Sequence, residues 1–242
     1  MLRPTIPLDE LIAYLFGAGD APLAAEVGPR LVASPRFRAF AEIYRDKIRK
    51  KARALREDEA RRDFAFELTI AARLVEDRRF ALEYESYGMD KRAPDFRVTF
   101  RSGTRFNVEV RRLRRRGPTD PPSDPPSDPA RIIRAVCDKL GQLPPSMMNV
   151  LVLGADGPSS AADALAPALV QLQDRAAQKD DAFFEQRGFT GTRDFLRRYQ
   201  RLSAALWLTG APGALQASLW RNPQARHPLP ADLARALTST VI

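Results

Sequence analysis

Residues 94–111, PDFRVTFRSGTRFNVEVR, set the period of the surrounding chain. Asp95 to Phe100 alternates polar and apolar residues with period two, and so does Arg105 to Arg111, with Ser102-Gly103 between them as a turn. Phe80 to Ser86 has the same alternation, so three consecutive strands in a meander are expected. On the third strand Asn107, Glu109 and Arg111 fall on one face, while Phe106, Val108 and Val110 turn to the other and supply packing. Asp95 opens the strand paired with it, so Asp95 and Glu109 are expected to converge at one end of the sheet.

Upstream the period is helical. LDELIAYLF reads as a short helix, a helical turn follows near Leu23 to Val27, and Ser34-Pro35 reads as an N-cap with proline at the first helical position. It opens a long helix to about Arg56 with the apolar stripe Phe37, Phe40, Tyr44 and Ile48. A second helix runs from about Asp58 to Asp77. Stepping at about 100° per residue from Phe64, Glu67 falls between Leu74 and Ala71 on the apolar arc. A carboxylate there has to be paired, neutralised or bound to a cation.

Downstream, residues 117–129 form a proline-rich loop with a repeated PPSD unit. A helix from Pro129 to Leu140 precedes Met148 to Leu153, an apolar run that reads as a buried strand reached by a helical crossover. Helices at Ala161 to Gln178 and Asp180 to Arg201, strands at Ala204 to Thr209 and Leu215 to Trp220, and a last helix from Ala231 complete the reading. The expected fold is α/β, a mixed central sheet flanked by helices, with residues 1–57 as an N-terminal helical extension of a domain spanning 58–242.

Composition narrows the chemistry. The chain has 242 residues, a single cysteine (Cys137) and a single histidine (His227), so disulfide frameworks, cysteine zinc clusters and multi-histidine sites are excluded. His227 sits among turn formers, Cys137 on an apolar helix face, and Trp207 and Trp220 in apolar strands, so all four read as structural. Gly154-Ala-Asp-Gly157 lacks the Gly-Lys-Ser/Thr of a phosphate-binding loop and reads as a turn. No apolar run is long enough to span a bilayer, and the opening MLRPTIPLDELIAYLFGAGD breaks its apolar stretch with proline and acids, so a cytoplasmic protein is expected.

The net charge of +9 is concentrated. Residues 36–62 hold eleven Lys/Arg against five Asp/Glu, and residues 101–116 hold seven against one. Arg45, Lys47, Lys50, Lys51 and Arg53 on the long helix, with Arg112, Arg114, Arg115 and Arg116 at the end of the third strand, are the expected contacts to nucleic-acid phosphates, DNA first. A solvated basic helix face is the plain alternative. No membrane partner is expected, and a homodimer is compatible with this reading.

Asp95, Glu109, Glu67 and the backbone carbonyl of Val110 make an all-oxygen set suited to Mg²⁺ or Mn²⁺. Such an ion serves phosphodiester hydrolysis without histidine or cysteine. The alternative for the same residues is structural: Asp95 caps the turn after Pro94, Glu109 and Arg111 make cross-strand ion pairs, and Glu67 pairs with an arginine.

Glu67 on a helix, Pro94-Asp95 opening a strand, and Glu109-Val110-Arg111 on its hairpin partner, followed by a helix and a fourth strand, resemble the PD-(D/E)XK nuclease superfamily over residues 58–155. The resemblance implies a restriction-endonuclease-like αβββαβ core that cuts nucleic acid with Mg²⁺, with Asp95 and Glu109 as metal ligands, Glu67 as an accessory ligand and position 111 as a catalytic residue. Arg111 stands where the family carries lysine. Lysine can release a proton and arginine effectively cannot, so the same resemblance also implies an alternative: a catalytically inactive protein of this fold that binds nucleic acid or serves as a scaffold.

Overall fold

A computed structural model describes residues 6–17, 21–84, 94–101, 103–114, 128–155, 163–211 and 214–241. The chain divides into two compact units, Met1–Tyr84 and Glu85–Ile242. The division runs after Tyr84, where the sequence suggested a boundary at 57, because the helix from Asp58 packs against the helices that precede it.

The first unit contains α1 (Leu8–Phe16), α2 (Ala21–Ala33), α3 (Pro35–Ile43), α4 (Arg45–Ala54), α5 (Asp58–Glu76) and β1 (Phe80–Tyr84). Ser34 caps α3 as expected, its Oγ accepting the N–H of Phe37 at 3.1 Å, with Pro35 in the first turn. Leu11, Leu15, Leu23, Leu31, Phe37, Ile48, Phe64 and Leu68 form the buried interior.

Two expectations are corrected here. The single turn near Leu23 is a helix of 13 residues that carries Pro29 inside it. Packing against α1, α3 and α5 outweighs the local proline penalty. The long helix from Pro35 is broken at Tyr44 (φ −102°, ψ 18°), although Tyr44 N–H still reaches Phe40 O (3.1 Å) and Ile48 N–H reaches Tyr44 O (3.0 Å). No proline or glycine marks this break. The Tyr44 ring packs 4.9 Å from Phe40 and 6.0 Å from Tyr84, contacts that periodicity alone does not reveal.

The second unit is α/β, with a mixed sheet in the order β2 (Phe96–Phe100), β3 (Thr104–Leu113), β4 (Met148–Ala155), β5 (Ala204–Ala211), β6 (Ala214–Arg221). β2 and β3 are antiparallel, β3–β4 and β4–β5 parallel, and β5–β6 antiparallel. The helix α6 (Asp128–Leu140) makes the crossover between β3 and β4. Leu113, Leu151, Leu153 and Trp207 on one sheet face join a buried cluster with Ile132 and Val136 of α6, Leu169 and Leu172 of α7 (Leu165–Ala177), and Phe184, Phe195 and Tyr199.

One expected helix, Asp180 to Arg201, is two: α8 (Asp181–Glu185) and α9 (Thr192–Tyr199). Gly188 (φ 80°) and Gly191 (φ 129°) adopt left-handed backbone between them, and a Cβ at Gly191 would come within 3.2 Å of the Asp181 carboxylate. The last helix, α10 (Ala231–Val241), packs on β6. Most of the proline-rich loop, residues 117–127, lies outside the described residues, and α6 already begins at Asp128. Among the described residues no helix is long and apolar enough to cross a membrane.

Of the residues read as structural, Trp207 is fully buried and the Cys137 thiol is buried and pushed up to about 12 by desolvation, while Trp220 and His227 are half-buried, the His227 backbone carbonyl accepting the Ser203 hydroxyl at 2.6 Å.

Candidate metal and nucleic-acid site

β3 carries the site of the second unit. Its register with β2, Phe96 opposite Val108, leaves Asp95 at the end of the pair, where its Oδ2 accepts the N–H of Val110 at 2.8 Å. A strand residue turns its N–H and C=O to the same side, so the Val110 carbonyl faces the side on which Asp95 lies. Glu109 points to the helix-covered face, and its side chain is 4% exposed.

Lys139, in the last turn of α6, contacts Glu109 Oε1 and also Gln142 Oε1 at 3.0 Å. Glu109 Oε2 is buried without a hydrogen-bond partner among the described residues. Burial and the neighbouring Asp95 carboxylate push Glu109 up to about 7, against the pull of Lys139 and of the Asp95 backbone N–H that faces the same carboxylate. Arg111 is half-buried and has no hydrogen bond or ion pair among the described residues, so the cross-strand ion pairs of the structural alternative are not formed there, and Glu109 pairs instead with Lys139 of α6. Asn107, on the same strand face, donates to Asn149 Oδ1 at 2.9 Å and ties β3 to β4.

Lys139 is the residue the sequence reading missed. At about 100° per residue from Ile132 it falls between Ala135 and Ile132, inside the buried arc of α6. The phase argument that found Glu67 finds Lys139 as well.

In the first unit Glu67 is 7% exposed, and Lys51 Nζ donates to both of its oxygens at 2.8 Å while the Tyr84 hydroxyl donates to Oε1 at 2.9 Å. Of the three fates open to a carboxylate on that face, pairing is the one realised, with a lysine where an arginine was expected. Among the described residues no group of three or more His, Cys, Asp or Glu side chains is arranged to hold a metal ion. The second unit supplies two carboxylates. Asp95 is already oriented by a backbone amide, and the buried Glu109 oxygen lacks a partner, so the pair with the Val110 carbonyl fits one hard divalent cation better than any soft metal.

The expected phosphate contacts divide in the same way. Arg45, Lys50 and Arg53 are exposed on α4, and Arg45 and Arg49 lie over the Tyr14 ring at 5.6 and 4.1 Å. Tyr14, Asp46, Arg49, Lys50 and Arg53 line a concavity of about 400 Å³. Lys47 donates to the Tyr84 carbonyl at 2.9 Å, and Lys51 is held by Glu67. Arg112 does not serve as a phosphate contact. Period two puts it on the Val110 side of β3, where it is 3% exposed. Arg114 is exposed, and Arg115 and Arg116 lie outside the described residues. No family model, curated protein or solved structure matches this chain.

Proposed function

We propose that this protein hydrolyses phosphodiester bonds in nucleic acid, DNA first, with Asp95, Glu109 and the Val110 carbonyl holding Mg²⁺ or Mn²⁺. The observation that carries the reading is the buried, unpartnered Oε2 of Glu109 beside an Asp95 carboxylate fixed on the Val110 amide. Two carboxylates on adjacent strands repel, and the arrangement is relieved by a cation. Bound there, the ion supplies polarisation of the scissile phosphate and acidification of a water.

The remaining roles belong to the chain. Asp95 keeps its orientation through the Val110 amide, which holds its carboxylate beside Glu109. Lys139 brings a lysine amine to the carboxylate pair from α6, where the resemblance to PD-(D/E)XK nucleases puts a lysine two residues after Glu109 on β3. A lysine can move a proton where arginine cannot, so Arg111 at that position does not leave the site without a titratable amine. Arg111, without a partner among the described residues, offers a fixed positive charge to the phosphate. Glu67, engaged by Lys51 and Tyr84, acts in the first unit as a structural anchor for α4, α5 and β1. Arg45, Arg49, Lys50 and Arg53 on α4, with Arg114, bind phosphates by charge.

The test is a nicking and cleavage assay with Mg²⁺ and with Mn²⁺ on duplex DNA, single-stranded DNA and RNA. Cleavage that disappears in Asp95→Ala and Glu109→Gln supports the reading. Metal-independent cleavage, or none in any variant, refutes it.

One observation favours the second reading, a catalytically silent nucleic-acid-binding or scaffold protein. Lys139 already places an internal cation on Glu109 Oε1, so the carboxylates are partly neutralised without metal. Salt-sensitive DNA binding together with calorimetry that registers no Mg²⁺ or Mn²⁺ uptake would select it.

A further inference from the structure

β6 is the last strand of the sheet order, and among the described residues its backbone edge carries none of the usual guards. It pairs one-to-one with β5 through eight residues without a bulge, contains no proline or lysine, and its first charge is Arg221 at the very end. Asn222, the next residue, donates its N–H to Ser203 O at 3.0 Å. Alternate residues counted back from it, Trp220, Ser218 and Gln216, therefore turn their N–H and C=O toward β5. Leu215, Ala217, Leu219 and Arg221 turn theirs outward, away from the sheet.

We propose that two copies of this chain join through β6, antiparallel, about a two-fold axis at Ser218, making one continuous sheet across the dimer. In this register every outward backbone group is used: Ala217 pairs with Leu219 of the second copy and Leu215 with Arg221 of the second copy, on both sides of the axis. The side chains complement one another. Small Ala217 lies opposite Leu219, Gln216 opposite Trp220, and Ser218 meets its own copy at the centre, while the two Arg221 charges sit at opposite ends and never face each other.

A groove of about 560 Å³ runs beside this edge, lined by Leu219, Arg221, Ala231, Ala234, Arg235 and Thr238. Ala217 and Leu215 of the second copy project on the Leu219 side of the sheet and cover the apolar part of that groove. A strand from an unrelated protein would satisfy the edge amides, but it would not be matched to this small-to-large order. The same sequence read backwards is.

Sedimentation equilibrium and light scattering on the full chain should return the mass of two chains. Ala217→Pro removes an outward N–H and leaves the β5 ladder intact, so it should weaken dimerisation at least tenfold without changing the circular dichroism. Ser218→Cys tests the axis directly. In a non-hydrogen-bonded antiparallel pair the two Cα atoms lie about 4.5 Å apart, inside the roughly 4.4–6.8 Å that a disulfide spans. Mild oxidation should give a reducible covalent dimer with Ser218→Cys and none with Gln216→Cys, and the native Cys137 is buried and does not compete. Should Ala217→Pro fail to fold, the Ser218→Cys cross-link decides alone. A single-chain mass at high concentration with no Ser218→Cys cross-link overturns the proposal. So does a dimer that neither Ala217→Pro weakens nor Ser218→Cys captures.

Discussion

Lys139, from the last turn of α6, meets Glu109 at the centre of β3, and 17% and 4% of their side chains are exposed. The pair joins the crossover helix to the strand that carries the carboxylates, so one contact serves both the fold and the proposed chemistry. Its removal has two separable readouts. Lys139→Met leaves a buried carboxylate without its cation and should cost roughly 3–5 kcal/mol in a denaturant titration. Glu109→Gln in the same background should return part of that loss, because no charge is then left buried. Metal-dependent cleavage should fall more than a hundredfold in Lys139→Met under conditions where the variant is fully folded. Wild-type cleavage in a folded Lys139→Met protein would remove Lys139 from the site.

The pH dependence of stability follows from Glu109. Its folded value is raised to about 7 from an ordinary 4.5, so the folded state binds this proton more tightly than the unfolded chain does. The stability contributed by the neutral form is complete below about 4.5 and is lost as pH rises through about 7. Glu109→Gln cannot titrate, so wild type should lose stability relative to Glu109→Gln between about pH 4.5 and 7 and hold a constant offset above that. Parallel denaturant curves at half-unit steps, without added metal, check it. An offset that is flat across the range contradicts the raised value.

On the basic helix α4, neighbouring lysines should behave oppositely. Lys51 holds both oxygens of Glu67 in the first unit, so Lys51→Met should cost about 2 kcal/mol of stability, the figure for a buried pair reduced because Lys51 is 30% exposed. Lys50 is exposed beside Arg49 and Arg53, and Lys50→Glu should leave stability within about 0.5 kcal/mol. In duplex DNA binding the log-log salt slope should fall by about 0.9 for each phosphate that the variant no longer neutralises. Electrophoretic shifts over a salt series, run beside thermal melts, separate the two residues. An equal fall in slope for both variants would show that Lys51 also reaches the nucleic acid.

Most strands were legible because period two survives wherever one sheet face is buried: Val98, Phe106, Val108 and Val152 announce themselves. The approach of Asp95 to Glu109 was legible for the same reason, although it falls at the middle of β3 and not at its end. What escaped depends on contacts between elements distant in sequence. Tyr44 breaks its helix without a breaker residue, and its ring rests on Tyr84, which lies 40 positions away. Arg111 looked like the cation of the site because it is two residues from Glu109. The cation that arrives is Lys139, 30 residues further along the chain on another element, where only the helical phase of α6 marks it. Arg112 counted as surface charge in the composition, yet the strand period turns it inward.

Arg111 and Lys139 together give the sharpest separation of the two functional readings. If Lys139 handles the proton and Arg111 only offsets phosphate charge, Arg111→Lys should retain cleavage within about threefold, while Arg111→Ala should lower it by more than tenfold, about 1.4 kcal/mol of transition-state stabilisation or more. Because Arg111 is half-buried without a partner among the described residues, neither change should move the denaturation midpoint appreciably. A lysine at 111 also tests interchangeability: introduced into Lys139→Met, it should restore part of the lost activity if an amine near Glu109 is what the reaction needs. Under the silent reading no member of this series cleaves above an Asp95→Ala background with either metal. Cleavage that emerges only in Arg111→Lys, with Lys139 intact, would mean that the fold carries the site and that the native chain has lost its use.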